Sequence, residues 1–231
     1  MHTKNHRSLA LLIFRFFAVA VSLFGMTYRL IFNPLNGSGW KYTIFQLGFF
    51  SIQTNIFITV IFILLLISHL RGKPEKAPAP AIRGGVLLYA TVVTILFFAF
   101  FIDSFEAQGL NRVVIYINHV ALTVLLLIDN MVSIKPQSYN WKLISYWMVY
   151  PFVYLVFMLI ESSVFHIYRY HFINLDRMTP AFHIIALVLL IVIFYLCASL
   201  IIFINKIYRK NPNSENELIM ELKNESKHHE K

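Results

Sequence analysis

A histidine and several hydroxyl-bearing side chains interrupt two of the most apolar stretches of the sequence. Asn118 and His119 lie in the run VVIYINHVALTVLLLI, and Ser51, Thr54 and Asn55 lie in FFSIQTNIFITVIFILLL. A hydroxyl becomes an effective nucleophile when a neighbouring imidazole takes its proton, so this pairing is typical of acyl-transfer chemistry. The same residue types also form hydrogen bonds between membrane helices without any catalytic role. On these residues alone, both interpretations stay open.

Helical geometry predicts that the histidine and the hydroxyls lie at a similar depth. At about 100° per residue, Ser51, Thr54 and Asn55 fall in one sector of a helix. Counted from the nearer ends of their apolar runs, Ser51 lies ~13 Å deep and His119 ~10 Å deep at the helical rise. We therefore expect a hydroxyl and the imidazole to meet in one half of a helical bundle.

Two charged residues also lie within apolar runs. Arg15 interrupts the first run, and Asp129 lies near the end of the fourth at a similar depth. Charged groups are costly inside a membrane, so they pair, extend towards the headgroups or serve a function. The sequence is compatible with a snorkelling Arg15, with an Arg15–Asp129 ion pair and with a proton-relay role.

The composition places the chain in a membrane. Of its 231 residues, 58% are hydrophobic and only 13% are charged, which is about half the charge content of soluble domains. The net charge of +9 does not indicate nucleic-acid binding, because the basic residues lie at the ends of the apolar runs. The single cysteine, Cys197, excludes a disulfide framework, and no zinc-ligand spacing or cofactor motif occurs. We therefore expect no metal and no cofactor.

Six apolar stretches are long enough to span a bilayer. They cover about 8–32, 42–70, 85–105, 113–133, 143–165 and 180–207. The proline-rich segment 71–83, with Arg83 at its end, is predicted to be a solvated linker, and 209–231 a polar cytoplasmic tail. The fold class is therefore an all-α, polytopic integral membrane protein with six transmembrane helices over 1–208.

The distribution of basic residues predicts the orientation. With the N-terminus inside, 14 of the 20 Lys and Arg residues lie on the cytoplasmic side and five on the other side. Positive residues accumulate in cytoplasmic loops, so both termini are expected to be cytoplasmic, N-in and C-in. The first run is too long for a signal peptide, and no cleavage site follows it. It is therefore predicted to be an uncleaved first span. Short loops favour a multi-pass protein of a bacterial cell membrane.

Several motifs resemble the androgen-induced-gene family of six-span membrane proteins. They are GWKYT at 39–43, FFSIQTN in span two, INHVALTVLLLID in span four, YPFVYLVF in span five and RYHFINLD in the last loop. The order of these motifs along most of the chain resembles the order in the family's prokaryotic branch, the "Pr-six-Pr" membrane proteins. This resemblance implies a hydrolase of fatty-acid esters that uses a threonine nucleophile and a histidine within the membrane.

The resemblance also implies roles for particular residues. Asn118 and His119 match the family's Asn-His pair, and Thr43 follows a Trp-Lys pair as the family threonine does. Thr43 is predicted to lie at the membrane surface, whereas Ser51 matches a Phe-x-hydroxyl pattern and the depth of His119 better. Thr54 is the third candidate for the nucleophile.

The sequence thus predicts an intramembrane lipid-ester hydrolase with a Ser/Thr nucleophile and His119 as the base. Asn55 or Asn118 is expected to donate a hydrogen bond to the developing oxyanion. The expected partners are membrane lipids and an apolar ester substrate. The alternative is a non-enzymatic small transporter, lipid-binding or accessory membrane protein whose polar groups are structural.

Overall fold

The computed structural model describes residues 2–101, 108–135, 137–170 and 179–207. Within them the chain is helical and contains no strand. The α-helices are α1 His2–Thr27, α2 Trp40–Leu47, α3 Phe50–Leu70, α4 Pro80–Leu96, α5 Gly109–Tyr116, α6 Leu122–Ser133, α7 Leu143–Phe165 and α8 Pro180–Ile207. Wider π-helical turns cover Tyr28–Phe32, Pro34–Ser38, Phe97–Phe101 and Ile117–Ala121, and a 3₁₀ turn covers Pro74–Lys76.

Six helical stretches in the described part of the chain are long and apolar enough to cross a membrane, as the sequence predicted. They are Ser8–Phe32, Phe50–Leu70, Pro80–Phe100, Gly109–Ser133, Leu143–Phe165 and Pro180–Ile207. The predicted tail at 209–231 and the last part of the predicted third span, 102–105, lie outside the described residues. Six successive crossings bring the start of α1 and the end of α8 to the same end of the bundle, which we call the terminal end.

The helices α3 and α4 form the centre of the bundle. In their most apolar windows 56% and 61% of the residues are buried, against 22% in α7 and in α8. The core contains Phe62 and Leu65 of α3, Leu88 of α4, and Leu122 and Leu126 of α6. Because α7 and α8 lie at the periphery, most of their apolar side chains are exposed on the outer surface of the bundle.

The second span differs from the prediction, which treated 42–70 as one helix. α2 ends at Leu47, the backbone is extended at Phe49, and α3 begins at Phe50. We call Gly48 and Phe49 the span-two break. The guanidinium of Arg169 occupies the position that a Cβ atom on residue 48 would need. Only glycine permits this close approach.

The third span begins earlier than predicted. α4 starts at Pro80 rather than near Gly85, with proline in the first turn, where its missing N–H is not needed. The linker prediction is therefore wrong for Arg83, which is buried in α4. Gly84 and Gly85 let α7 approach closely, because a Cβ atom at either position would lie 2.6 to 2.8 Å from the ring of Trp147.

Candidate functional site

A cavity of about 450 Å³ lies between the start of α3, α4, α7, α8 and the π-helical turn that carries His119. Its wall includes both Ser51 and His119. Most of the remaining surface is apolar: Phe50, Val93, Leu96, Phe97, Met148, Val149, Pro151, Phe152, Leu155, Met158, Leu187, Leu190, Ile191 and Phe194, with Ser145, Tyr154 and Tyr170 as further polar residues. The volume falls within the range of roughly 300–1,000 Å³ found for small-molecule pockets.

The imidazole of His119 is held in one orientation. Its Nδ1–H donates to the carbonyl oxygen of Ile115 at 2.9 Å, because a carbonyl can only accept. The ring stacks on Phe97 with centroids 4.7 Å apart, and the Thr94 hydroxyl donates to the His119 carbonyl at 2.5 Å. The bond to Ile115 fixes the neutral tautomer in which Nε2 carries the lone pair. Nε2 is therefore the nitrogen that can accept a proton.

Ser51 lies in the first turn of α3 and is half-buried. Among the described residues its hydroxyl has no hydrogen-bond partner, and no hydrogen bond joins it to His119. The two side chains line the same cavity as separate groups. A ligand in this cavity can therefore contact both of them.

The hydroxyl of Tyr154 bridges the span-two break. It donates to the Gly48 carbonyl at 2.8 Å and accepts from the Phe50 N–H at 3.0 Å. Tyr170, in the loop after α7, accepts from the same N–H at 3.2 Å. Burial raises the pKa of Tyr170, so its phenol stays protonated at neutral pH. Sequence reasoning missed both tyrosines, and the glycine at 48 was the only local signal of a break.

Arg169 completes this arrangement from the same loop. Its Nε and Nη2 donate to the Glu161 carboxylate at 2.5 and 2.6 Å, and its Nη1 donates to the Phe45 carbonyl at 2.5 Å. Although burial acts to lower it, the bonds and charge of Glu161 leave the pKa of Arg169 above its ordinary value. The guanidinium thus ties the end of α2 to α7. This ion pair was not predicted from the sequence.

Three of the predicted site residues lie outside the cavity wall. Thr54, Asn55 and Asn118 are buried, and Thr54 Oγ1, Asn55 Nδ2 and Asn118 Oδ1 have no partner among the described residues. Asn118 packs against Gly25, where a Cβ atom would lie 2.6 Å from Asn118 Oδ1. Neither asparagine belongs to the cavity wall. The oxyanion role of Asn55 or Asn118 stays a prediction.

Thr43 is also separate from the cavity. It lies in α2, and its hydroxyl donates to the Leu30 carbonyl at 2.8 Å. This bond ties α2 to the end of the first span. Of the three candidate nucleophiles, the structure brings only Ser51 to the same cavity as His119.

Arg15 and Asp129 form a buried ion pair towards the terminal end of the bundle. Arg15 Nε donates to Asp129 Oδ2 at 2.9 Å, and Arg83 Nη2 donates to Asp129 Oδ1 at 2.7 Å. Ser133 also donates to the carboxylate, and Asn130 Oδ1 accepts from Arg83 Nε at 3.0 Å. These five residues are the terminal cluster. The Arg15 side chain is only 8% exposed, so it does not extend towards the headgroups.

One further contact connects the terminal cluster to the surface. Arg15 Nη1 lies 3.3 Å from His69 Nδ1, and His69 Nε2 lies 3.1 Å from the Ser8 hydroxyl. Within the described ranges, no three His, Cys, Asp or Glu residues come together as metal ligands. Cys197 is buried in the core.

No protein-family model, curated protein or solved structure matches this chain. The resemblance to the androgen-induced-gene family therefore stays a prediction. The geometry of the cavity is the remaining basis for a function.

Proposed function

We propose that this protein is an intramembrane lipid-ester hydrolase in which Ser51 is the nucleophile and His119 the base. The observation that carries the proposal is that a hydroxyl and an imidazole line one apolar cavity within a membrane bundle. The fixed tautomer of His119 adds support, because it leaves Nε2 able to accept the hydroxyl proton.

The reaction would follow the usual two steps of acyl transfer. Ser51 Oγ attacks the ester carbonyl while His119 Nε2 takes the hydroxyl proton, and that proton then leaves with the alcohol. Water attacks the acyl-serine with His119 again as the base, which releases the fatty acid and restores Ser51. Because no hydrogen bond joins Ser51 to His119, ligand binding must bring Oγ and Nε2 to within roughly 2.6–3.2 Å.

The substrate would enter from the bilayer. Val149 and Phe152 of α7 and Ile191 of α8 belong to the cavity wall, yet each is more than half exposed on the outer surface of the bundle. The cavity therefore opens between peripheral side chains that face lipid. An apolar ester can reach Ser51 by this route without crossing a polar surface.

The test is hydrolysis of branched fatty-acid esters by the purified protein, together with labelling by a fluorophosphonate probe. Ser51→Ala is expected to abolish labelling, and His119→Gln to lower its rate by about 10²–10⁴-fold, the usual contribution of a general base. The matched controls are Ser68→Ala and His69→Gln, which change the same residue types in α3 away from the cavity. If Ser51→Ala retains wild-type hydrolysis, the proposal is wrong.

The second candidate is a non-enzymatic lipid-binding protein. One observation favours it: among the described residues, no hydrogen bond joins the Ser51 hydroxyl to His119. A photoreactive fatty acid separates the two functions. A pure binding protein is labelled at the cavity wall but shows neither hydrolysis nor reaction with the fluorophosphonate.

The family, the orientation and the location belong to the same proposal. We infer a bacterial cell-membrane protein, related to the androgen-induced-gene hydrolases, with both termini in the cytoplasm. The basic residues on the terminal side and the motif order support this inference. A C-terminal alkaline phosphatase fusion should be inactive and a C-terminal green fluorescent protein fusion fluorescent; the opposite pattern would reverse the orientation.

A further inference from the structure

The span-two break lies inside the bundle rather than at its edge. The ring of Phe50, the first residue of α3, contacts Tyr154, Tyr150, Tyr89 and Phe194 at centroid distances of 5.0 to 6.0 Å. Tyr89, Tyr154 and Phe194 lie near the middle of α4, α7 and α8. Lipid offers no hydrogen bonds, so a break at this position needs protein partners for its open backbone groups.

Tyr154 supplies partners on both sides of the break. One hydroxyl accepts from the first N–H of α3 and donates to the Gly48 carbonyl at the end of α2. Tyr170 also accepts from the N–H of Phe50. Among the described residues, Tyr154 alone contacts both ends of the break through its side-chain oxygen.

Ser51 directly follows Phe50, so the direction of its hydroxyl depends on where α3 starts. We propose that Tyr154 is a positioning residue for Ser51: its hydroxyl closes the break in span two and so directs the first turn of α3 into the cavity. The inference rests on the proposed function for the chemistry at Ser51. The hydrogen bonds that carry it do not depend on any catalytic activity.

Tyr150 provides a matched control on the same helix. Its ring also packs on Phe50, but its hydroxyl donates to the Gln53 side chain rather than to the backbone of the break. Tyr150 is not part of the cavity wall. Tyr→Phe at either position keeps the ring packing and removes one hydroxyl. If Tyr154 acted only through its aromatic ring, the Tyr154→Phe and Tyr150→Phe variants would therefore behave alike.

The first experiment measures the position of residue 51 without any catalysis. Ser51→Cys is combined with Cys197→Ala, which leaves one thiol, and its alkylation rate by a membrane-soluble maleimide is followed. Adding Tyr154→Phe is expected to change the rate about five- to tenfold, because the variant loses the bond to the Gly48 carbonyl and one of the two acceptors of the Phe50 N–H. Tyr150→Phe should leave it within about twofold, and Tyr170→Phe should have an intermediate effect, because the Gly48 bond remains.

The second experiment tests the consequence for chemistry at Ser51 itself. With the fluorophosphonate probe, Tyr154→Phe should lower the maximal labelling rate while the half-saturating probe concentration stays unchanged. Equal alkylation rates in the Tyr154→Phe and Tyr150→Phe variants would overturn the inference. If Tyr154→Phe does not fold, the absence of any effect of Tyr170→Phe overturns it as well. If wild type never labels but the thiol rates differ as expected, the hydrolase proposal fails and the positioning role stands.

Discussion

The terminal cluster and the cavity both contain polar side chains within the membrane bundle. The two regions differ in whether these side chains form hydrogen bonds with other protein groups. In the terminal cluster, Asp129 is fully buried and accepts hydrogen bonds from Arg15, Arg83 and Ser133. At the cavity, the Ser51 hydroxyl has no partner among the described residues and faces an open space. The first arrangement uses its polar groups to join α1, α4 and α6. The second leaves a hydroxyl available to a ligand.

A third set of polar atoms belongs to neither region. Thr54 Oγ1 and Asn55 Nδ2 are buried and have no partner among the described residues, and neither residue lines the cavity. These two atoms therefore neither stabilise the bundle through a partner nor reach a ligand in the cavity. The comparison predicts that the effect of a substitution on stability follows the number of hydrogen bonds lost, rather than the depth of the residue.

The largest effect is expected for Asp129→Asn. The change removes the charge that two buried guanidiniums share, and breaking a buried ion pair costs about 3–5 kcal/mol. Denaturation in detergent mixtures measures the free energy of unfolding. Ser51→Ala is the control and should remain within about 0.5 kcal/mol of wild type, as expected where no contact is lost. Equal losses in the two variants would remove the distinction between the regions.

Gly48→Ala is expected to have the next largest effect. The new methyl group would occupy the position of the Arg169 guanidinium, so the bonds to Phe45 and Glu161 must shift at a cost of about 1–3 kcal/mol. A double-mutant cycle with Arg169→Ala checks the cause. The cost of Gly48→Ala should largely disappear when Arg169 is already absent, whereas simple additivity would show that the guanidinium is not responsible.

Thr54→Val should leave stability unchanged or raise it by up to about 1 kcal/mol, because the hydroxyl it removes is buried and has no partner among the described residues. Thr59→Val, five residues later in α3, is the matched control. Its hydroxyl donates to the Asn55 carbonyl at 2.8 Å, so this variant should not gain stability. The test is to measure the free energy of unfolding of both variants. A clear loss on Thr54→Val would mean that its hydroxyl has an important contact.

The smallest effect concerns pH at the break. The raised pKa of Tyr170 keeps its phenol neutral in the folded state, whereas in the unfolded chain it ionises near the ordinary value of ~10. The contribution of Tyr170 to the free energy of unfolding is therefore constant around neutral pH and falls only as the pH rises above ~10. The raised pKa of Arg169 likewise keeps its charge at neutral pH. The difference in melting temperature between wild type and Tyr170→Phe should be flat from about pH 6 to 9; a steady trend there would contradict this assignment.

Particular residues show which features of the structure could be predicted from the sequence. The apolar runs predicted the spans ending at Phe32 and Leu70 and the whole of α7 and α8. Arg15 and Asp129 drew attention as charges inside apolar runs, and the structure joins them. Arg83 could not be placed in the same way, because it follows a proline-rich segment and carries the same local signal as a solvated linker residue.

The sequence by itself determined the fold class of the protein. The length and hydropathy of each apolar run can be read from contiguous residues, without knowledge of tertiary contacts. The sequence also suggested three hydroxyls and His119 as candidate site residues. Only the tertiary structure placed one of these hydroxyls, Ser51, in the same cavity as His119 and revealed the span-two break. Phe50 and Tyr154 are 104 residues apart, and Arg15 and Asp129 are 114 apart. Such contacts arise from the packing of whole helices, which no local pattern of residues contains.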